Sequence, residues 1–200
     1  MDRKIDLDYF NQALKLLDFR LKENNSPPIS IVICGGSALM VLNLVTRTTK
    51  DVDVLALFSE DHLTSPAPLP ESLIQAAQEV AEDLNLPDDW LNNGPSSGEG
   101  GLFQMGLPKE ISSRITQIYS STYLNVYAIS RFDQIHFKLY ASVDQGGGYH
   151  LDDLLKLEPT CEEILEASLW CRTHDPSDGF LYLLKETLHA IEFDDVIQEL

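Results

Sequence analysis

The spacing of apolar residues predicts alternating helices and strands along the first part of the chain. Residues 6–23 place apolar side chains every three or four positions, which indicates an amphipathic helix. Residues 29–34 form a short β-branched run between a proline turn and a glycine pair, which is typical of a buried strand. We expect a second helix at residues 37–45 and a second strand at residues 50–58, where polar and apolar positions alternate.

The rest of the chain is predicted to be mainly helical. One further strand is expected at residues 122–130, which alternate as a half-buried strand does. The composition changes at residues 87–106, and within this stretch residues 92–101, which are rich in Asn, Gly, Pro and Ser, are expected to form an exposed, mobile loop. Helices are expected where apolar residues recur at helical spacing, at residues 71–84, 132–143, 150–157, 160–172 and 178–199.

This order of elements favours the α/β class, with a small mixed β-sheet flanked by helices. We expect residues 1–157 to form the core and residues 158–200 to form a helical C-terminal extension that packs on it. The 44% content of hydrophobic residues is sufficient for a real core, so intrinsic disorder is not expected.

The net charge and the lengths of the apolar runs argue against two classes of partner. A formal net charge of -18 disfavours sequence-independent binding to DNA or RNA, which depends on Lys and Arg neutralising phosphates. No apolar run approaches the roughly 20 residues that span a bilayer. The first six residues contain neither the apolar stretch nor the cleavage site of a secretory leader. We therefore expect a cytoplasmic protein that does not bind a membrane.

Two short segments carry the candidate chemistry. Gly35-Gly36-Ser37 follows the first predicted strand, and such a turn lets the backbone approach phosphate oxygens at the start of a helix. Asp51 and Asp53 lie two positions apart on the second predicted strand, so their side chains are expected on one face, where a divalent cation can bridge them. Together the two segments predict a site for a metal and a phosphate.

Each segment also has a simpler interpretation. The glycine turn can be an ordinary strand-to-helix turn that Ser37 caps. The Asp pair can be the solvated start of a strand. Lys50, directly before Asp51, can contact a phosphate or can be a surface charge. The sequence leaves both interpretations open.

The same residues resemble the signature of the DNA polymerase β-like nucleotidyltransferase superfamily. The resemblance rests on the run from Gly35 to Leu39, on the basic segment at residues 47–50 and on Asp51-Val52-Asp53. Later stretches are similar to a lysine helix and an acidic helix in a small bacterial branch of that superfamily. This branch includes AbiE-type toxins, MNT-type proteins and many uncharacterised proteins of the DUF6036 type. The later stretches are residues 129–141 and 150–154.

The resemblance extends over residues 29–157 and implies a minimal nucleotidyltransferase fold. The implied activity is the Mg²⁺-dependent transfer of a nucleoside monophosphate from an NTP to a hydroxyl of a protein, an RNA or a small molecule. Asp51 and Asp53 would be the metal ligands and, with Lys138, the catalytic residues. The residues implied to bind the phosphates of the NTP are Gly35, Gly36, Ser37 and Lys50.

One departure from the family pattern opens an alternative function. Active members of the superfamily carry a third carboxylate on a later strand, and the strand at residues 122–130 offers Asn125 at the expected position. An amide is a weak, neutral metal ligand, so either Asp152 and Asp153 supply the missing acid or the site has lost its activity. In the second case the protein would be a catalytically silent module of the toxin–antitoxin type, whose acidic surface binds a basic protein partner.

The later charged residues have structural interpretations as well. Lys138 stands on an otherwise apolar helix, and Lys is rarely buried in a protein unless it is paired. Asp152 and Asp153 suit the first turn of a helix, where the helix dipole favours negative charge. These residues therefore remain candidates for the site and for structural roles alike.

Overall fold

The computed structural model describes residues 4–98 and 100–200. In this part of the chain, helices flank a mixed sheet of six strands and further helices follow toward the C-terminus. The predicted α/β class is therefore confirmed. No helix among the described residues is both long and apolar enough to cross a membrane.

The chain divides into two compact units between Ile129 and Ser130. The boundary that we expected after residue 157 stays a prediction. Residues 1–3, on which the expectation of no leader partly rests, lie outside the described part, as does Glu99 in the predicted loop.

The first unit begins with a long helix and contains the sheet. Its helices are α1 (Leu7–Glu23), α2 (Gly35–Val41), α3 (Glu71–Leu84), α4 (Leu102–Met105) and α5 (Ile111–Arg114). Its strands are β1 (Ile29–Cys34), β2 (Val52–Ser59), β3 (His62–Thr64), β4 (Leu91–Asn92), β5 (Thr116–Ser120) and β6 (Leu124–Ala128). A 3₁₀ turn at Gly94–Ser96 follows β4.

The strand order places β1 and β2 in the interior of the sheet. The order is β3-β2-β1-β6-β5, and β4 pairs with β2 outside this path. β1 is antiparallel to β2 and parallel to β6. One face of these strands packs against α1 and α3 through fully buried residues such as Ile31, Val54 and Val126. Burial of this face fixes the strand register, because a slip of one residue would turn the apolar side chains outward.

The second unit is helical. Trp170 packs against Phe137 and Tyr140, with ring centroids 5.6 and 6.0 Å apart, respectively. A capping box is present at Thr160: its Oγ1 accepts a hydrogen bond from Glu163 N, and the Glu163 carboxylate accepts one from Thr160 N. The helices of this unit are α6 (Arg131–Asp144), α7 (Gly148–Lys156), α8 (Cys161–His174), α9 (Asp178–Ala190) and α10 (Asp194–Ile197).

Several short strands and several helix ends differ from the sequence prediction. β3, β4 and β5 are absent from the prediction, because strands of two to five residues carry little periodicity. The helix after β1 ends at Val41 instead of residue 45, and Asn43 then takes a left-handed conformation with a φ of 56°. The last predicted helix is interrupted after Ala190, and Glu192 has a φ of 65°.

Residues 87–106 are packed more closely than their composition predicts. Trp90 is fully buried, and its Nε1 donates a hydrogen bond to the carbonyl of Ala77 at 2.9 Å. Ser96 is also buried, and its hydroxyl donates to the carbonyl of Leu55 at 2.7 Å. These two side chains anchor the segment to α3 and β2. The burial of Ser96 contradicts the exposed loop predicted for residues 92–101, whereas Trp90 lies before that range.

Candidate active site

The turn between β1 and α2 requires glycine at its first position. Cys34 ends β1 in an extended conformation, and Gly35 follows with a φ of 67°. A Cβ atom on Gly35 would lie 2.6 Å from Oδ2 of Asp53, which is closer than real side-chain contacts allow. Glycine therefore lets the backbone turn directly against the Asp53 carboxylate.

The next residue of the turn lies against a cation and a hydroxyl. A Cβ atom on Gly36 would lie 2.9 Å from Thr49 Oγ1 and 3.3 Å from both terminal nitrogens of Arg47. Nη1 of Arg47 also donates to the carbonyl of Thr48 at 3.4 Å. A carboxylate thus lies beside the first glycine of the turn and a guanidinium beside the second.

Asp51 and Asp53 lie where β2 begins. Asp53 is the register partner of Cys34, the last residue of β1, and both acidic residues are half-buried. The hydroxyl of Thr49 lies 3.2 Å from the Asp51 carbonyl oxygen and 3.4 Å from Asp51 Oδ1. Backbone hydrogen bonds join Thr49 and Ile5 in both directions, at 2.8 and 3.0 Å. The loop before β2, and Asp51 with it, is therefore held in place.

Two carboxylates of this kind match the donor set of Mg²⁺. This ion is usually held by one or two carboxylates together with waters and substrate phosphates. Across residues 4–98 and 100–200 there is no cluster of three or more His, Cys, Asp or Glu side chains that could hold a metal ion. Asp51 and Asp53 fit Mg²⁺, with further ligands supplied by a substrate.

Ser37 and Lys50, two of the residues predicted to bind phosphate, lie in different environments. Ser37 is fully buried, and its hydroxyl donates to the Cys34 carbonyl at 3.3 Å. The hydroxyl is thus engaged inside the turn. Lys50 is exposed in the loop before β2, directly next to Asp51, so its ammonium can contact a ligand without any loss of packing.

Asn92 is the residue that the sheet places next to Asp53. The short strand β4 runs parallel to β2, with Asn92 as the register partner of Asp53. Oδ1 of Asn92 accepts a hydrogen bond from the backbone N–H of Gly94 at 2.7 Å. Its Nδ2 donates to the carbonyl of Asp89 at 3.3 Å. An amide, and not a carboxylate, therefore stands beside Asp53 on the neighbouring strand.

The sheet does not bring Asn125 next to the Asp pair. Asn125 on β6 is the register partner of Ser30 on β1, whereas Asp53 is the partner of Cys34. Ser30 and Cys34 are four residues apart along β1, which corresponds to about 13 Å at 3.3 Å per residue. Oδ1 of Asn125 accepts hydrogen bonds from Ser120 and Gln117, both at 3.1 Å. Asn125 is therefore part of the β5–β6 pairing.

In the second unit, Lys138 and Asp153 form a buried ion pair. Nζ of Lys138 lies 2.9 Å from Oδ2 of Asp153, and the two side chains are only 5% and 0% exposed. The ammonium also lies 5.6 Å from the ring centroid of Tyr149. Asp152, the neighbour of Asp153, is exposed. Two of the predicted site residues thus contact each other, and this contact balances the charge of Lys138 without a phosphate.

Arg47 enters the sequence prediction as part of the basic segment at residues 47–50, whereas Thr49 and Asn92 are not predicted as site residues. A signal for Thr49 exists, because positions 47, 49, 51 and 53 alternate, and alternate residues of an extended chain share a face. Asn92 lies on a strand of two residues, which has no periodicity to detect. Only the folded sheet shows that it stands beside Asp53.

Of the comparisons with known proteins, the one with protein-family models gives a match. A family model described as a nucleotidyltransferase of unknown function (DUF6036) matches residues 12–93. The matched range includes the glycine turn, the Asp pair and Asn92, and it ends before the second unit begins. No curated protein and no solved structure matches the chain. The family match confirms the predicted resemblance within residues 12–93, which carry the sequence pattern of a nucleotidyltransferase family of unknown function. The resemblance of residues 129–141 and 150–154 lies outside the matched range and stays a prediction.

Proposed function

We propose that the protein is a nucleotidyltransferase that transfers a nucleoside monophosphate from an NTP to a hydroxyl of a protein, an RNA or a small molecule, with Mg²⁺ as cofactor. The observation that carries this proposal is the contact between the glycine turn and the Asp pair. The Asp53 carboxylate occupies the space that a side chain on Gly35 would fill. A phosphate bound at this turn would therefore lie close to a metal ion bound by Asp53.

The residues around the turn have complementary tasks in this reaction. Asp51 and Asp53 would hold Mg²⁺, which supplies Lewis-acid stabilisation of the charge that develops on the phosphoryl oxygens. The guanidinium of Arg47 lies beside Gly36, where it would attract the negative charge of the phosphates. Thr49 fixes the position of Asp51 through its hydroxyl. Transfer to the acceptor hydroxyl would release pyrophosphate.

A double substitution of the Asp pair tests the proposal. We expect Asp51→Asn with Asp53→Asn to reduce Mg²⁺-dependent transfer of label from α-labelled NTP to background, because amides replace both charged ligands. The matched control is Asp88→Asn with Asp89→Asn, which removes two adjacent exposed carboxylates from the same unit. The control should keep full transfer. Transfer that survives in the Asp51/Asp53 variant would show that the site is elsewhere.

Two observations support a second candidate function, a catalytically silent binding module. Asn92 stands beside Asp53 where a further carboxylate would strengthen metal binding, and Lys138 is already paired with Asp153. The formal net charge of -18 suits a basic toxin or antitoxin partner. A thermal-shift series with each NTP, with and without Mg²⁺, combined with a pull-down, distinguishes the two candidates.

The two candidates predict opposite results in this series. For the enzyme, an NTP with Mg²⁺ raises the melting temperature, and the Asp51/Asp53 double variant loses the effect. For the silent module, no NTP changes the melting temperature, and a basic protein is retained in a fixed ratio. Nucleotide-dependent stabilisation of the wild type that the double variant loses would rule out the silent module.

A further inference from the structure

We propose that Asn92 limits the candidate active site to a single tightly held divalent cation in the absence of nucleotide. This inference rests on the proposed function, because it concerns the metal that Asp51 and Asp53 would bind. Asn92 is the register partner of Asp53 on the adjacent parallel strand, so both side chains leave the sheet on the same face. It is therefore the residue beside Asp53 on β4.

The amide of Asn92 is already used by the turn that follows β4. Its oxygen accepts the N–H of Gly94 at 2.7 Å, and its nitrogen donates to the Asp89 carbonyl at 3.3 Å. A Cβ atom on Gly94 would lie only 2.9 Å from Asn92 Oδ1, so this oxygen is held close to the backbone. A neutral amide oxygen that already accepts a hydrogen bond binds a second cation less strongly than a charged carboxylate oxygen would.

The charge balance leads to the same conclusion. Two Mg²⁺ ions carry four positive charges, whereas Asp51 and Asp53 supply two negative charges and the Arg47 guanidinium beside Gly36 adds a positive one. The described residues contain no group of three or more His, Cys, Asp or Glu side chains that could hold a metal, so no third side chain of these types joins the Asp pair. A second ion would have to arrive with the phosphates of the nucleotide, since phosphate oxygens are the other ligands that Mg²⁺ prefers.

Counting bound Mn²⁺ tests the inference without any catalytic assay. The free-ion signal in electron paramagnetic resonance gives the number of Mn²⁺ ions bound per chain, at an ionic strength that screens the acidic surface. Binding that persists in the Asp51→Asn/Asp53→Asn variant is the background of surface sites and is subtracted. We expect one ion per chain in the wild type and two in Asn92→Asp, where the new carboxylate can still accept the Gly94 N–H.

The adjacent residue supplies a matched control. Asn93→Asp introduces the same charge one position away, at a side chain whose Nδ2 donates to the Pro66 carbonyl at 2.9 Å. This variant should bind one ion, as the wild type does. A gain of a second ion in Asn93→Asp as well would mean that local charge, and not the place of Asn92 beside Asp53, controls the count.

The possible outcomes separate this inference from the proposed function. Two ions in the wild type, or one ion in a folded Asn92→Asp variant, would overturn the inference and leave the proposed function standing. No binding above background in any variant would overturn both. If Asn92→Asp does not fold, the count in the wild type still decides, because two ions there contradict a limit of one.

Discussion

The carboxylates of Asp51 and Asp153 occupy opposite environments in the two units. Asp51 is half-buried, and its Oδ1 lies 3.4 Å from the hydroxyl of Thr49. Asp153 is fully buried and contacts the ammonium of Lys138 at 2.9 Å. A half-buried carboxylate can accept a metal ion with little rearrangement, whereas separating a buried ion pair leaves a charge without its partner. The first position is suited to binding a ligand, and the second to joining α6 and α7.

Removing one partner of the buried pair should have the largest effect on stability. We expect Asp153→Ala to lower the free energy of unfolding by about 3–5 kcal/mol, because it leaves the Lys138 ammonium buried without a carboxylate. Asp51→Ala should cost about 1 kcal/mol or less, since it removes only a weak hydrogen bond from a half-buried side chain. Urea unfolding followed by circular dichroism measures both values.

The double variant Lys138→Met/Asp153→Leu sharpens the same comparison. Replacing both charges with apolar groups of similar size should restore stability to within about 1 kcal/mol of the wild type or above it. A cost for Asp153→Ala no larger than that for Asp51→Ala would contradict the contrast between the two carboxylates. So would failure of the double variant to recover stability, because it would show that another contact of Asp153 dominates.

Gly35→Ala should have the next largest effect, and it should alter the site as well. The φ of 67° alone costs an L-residue about 1–2 kcal/mol, and the new Cβ would lie 2.6 Å from Asp53 Oδ2, so Asp53 has to move. We expect a total loss of about 2–3 kcal/mol together with weaker Mn²⁺ binding. Thermal unfolding and Mn²⁺ titration measure the two effects separately.

Gly146 in the second unit is the matched control for Gly35. Its φ is 77°, and a Cβ atom there would meet no atom within 4 Å. Gly146→Ala should therefore show only the cost of the backbone conformation and unchanged Mn²⁺ binding. Equal losses in the two variants would mean that the contact with Asp53 adds nothing to the requirement for glycine.

The smallest expected effect concerns a half-exposed ion pair in the second unit. The hydrogen bond from Arg131 lowers the pKa of Glu163 below its ordinary value, despite partial burial. A lowered folded-state pKa stabilises the fold above the unfolded pKa of about 4.3, and this contribution disappears as the pH falls through the folded-state pKa. At pH 7 we expect Glu163→Gln to cost about 1 kcal/mol or less.

The pH dependence of the stability cost of Glu163→Gln tests whether the ion pair with Arg131 causes that cost. The difference in unfolding free energy between wild type and Glu163→Gln should shrink as the pH falls from the unfolded pKa of about 4.3 through the lower folded-state pKa, because Glu163 then becomes protonated in both states. Gln keeps the capping box with Thr160, so the helix start is preserved. A difference that stays constant down to pH 3 would refute the link to Arg131. Glu166→Gln, at an exposed position of the same helix, is the control.

Much of the fold follows from the sequence because its long elements have clear periodicity and clear ends. The bounds of β1 and α3 match the prediction, and α1 differs from it by one residue at its start. The Asp pair also lies at the start of the second strand, as the alternation indicates. Apolar periodicity and local turn residues are sufficient for features of this kind.

The rest of the site depends on contacts between distant residues. The sequence indicates that Lys138 needs a partner, but it does not distinguish Asp153 from a phosphate. It also offers Asn125 as the missing third ligand, whereas strand pairing places Asn92 beside Asp53. Pairing between strands is set by tertiary packing, and a two-residue strand gives no local indication of its neighbour.

The backbone bridge between Ile5 and Thr49 couples the candidate active site to the start of the chain. Ile5 is fully buried, and its two hydrogen bonds hold the residue whose hydroxyl contacts Asp51. Detachment of the segment at Ile5 would therefore release Asp51 without unfolding the sheet. In amide hydrogen exchange, Ile5 and Thr49 should lose protection together, at a lower opening free energy than the centre of β1.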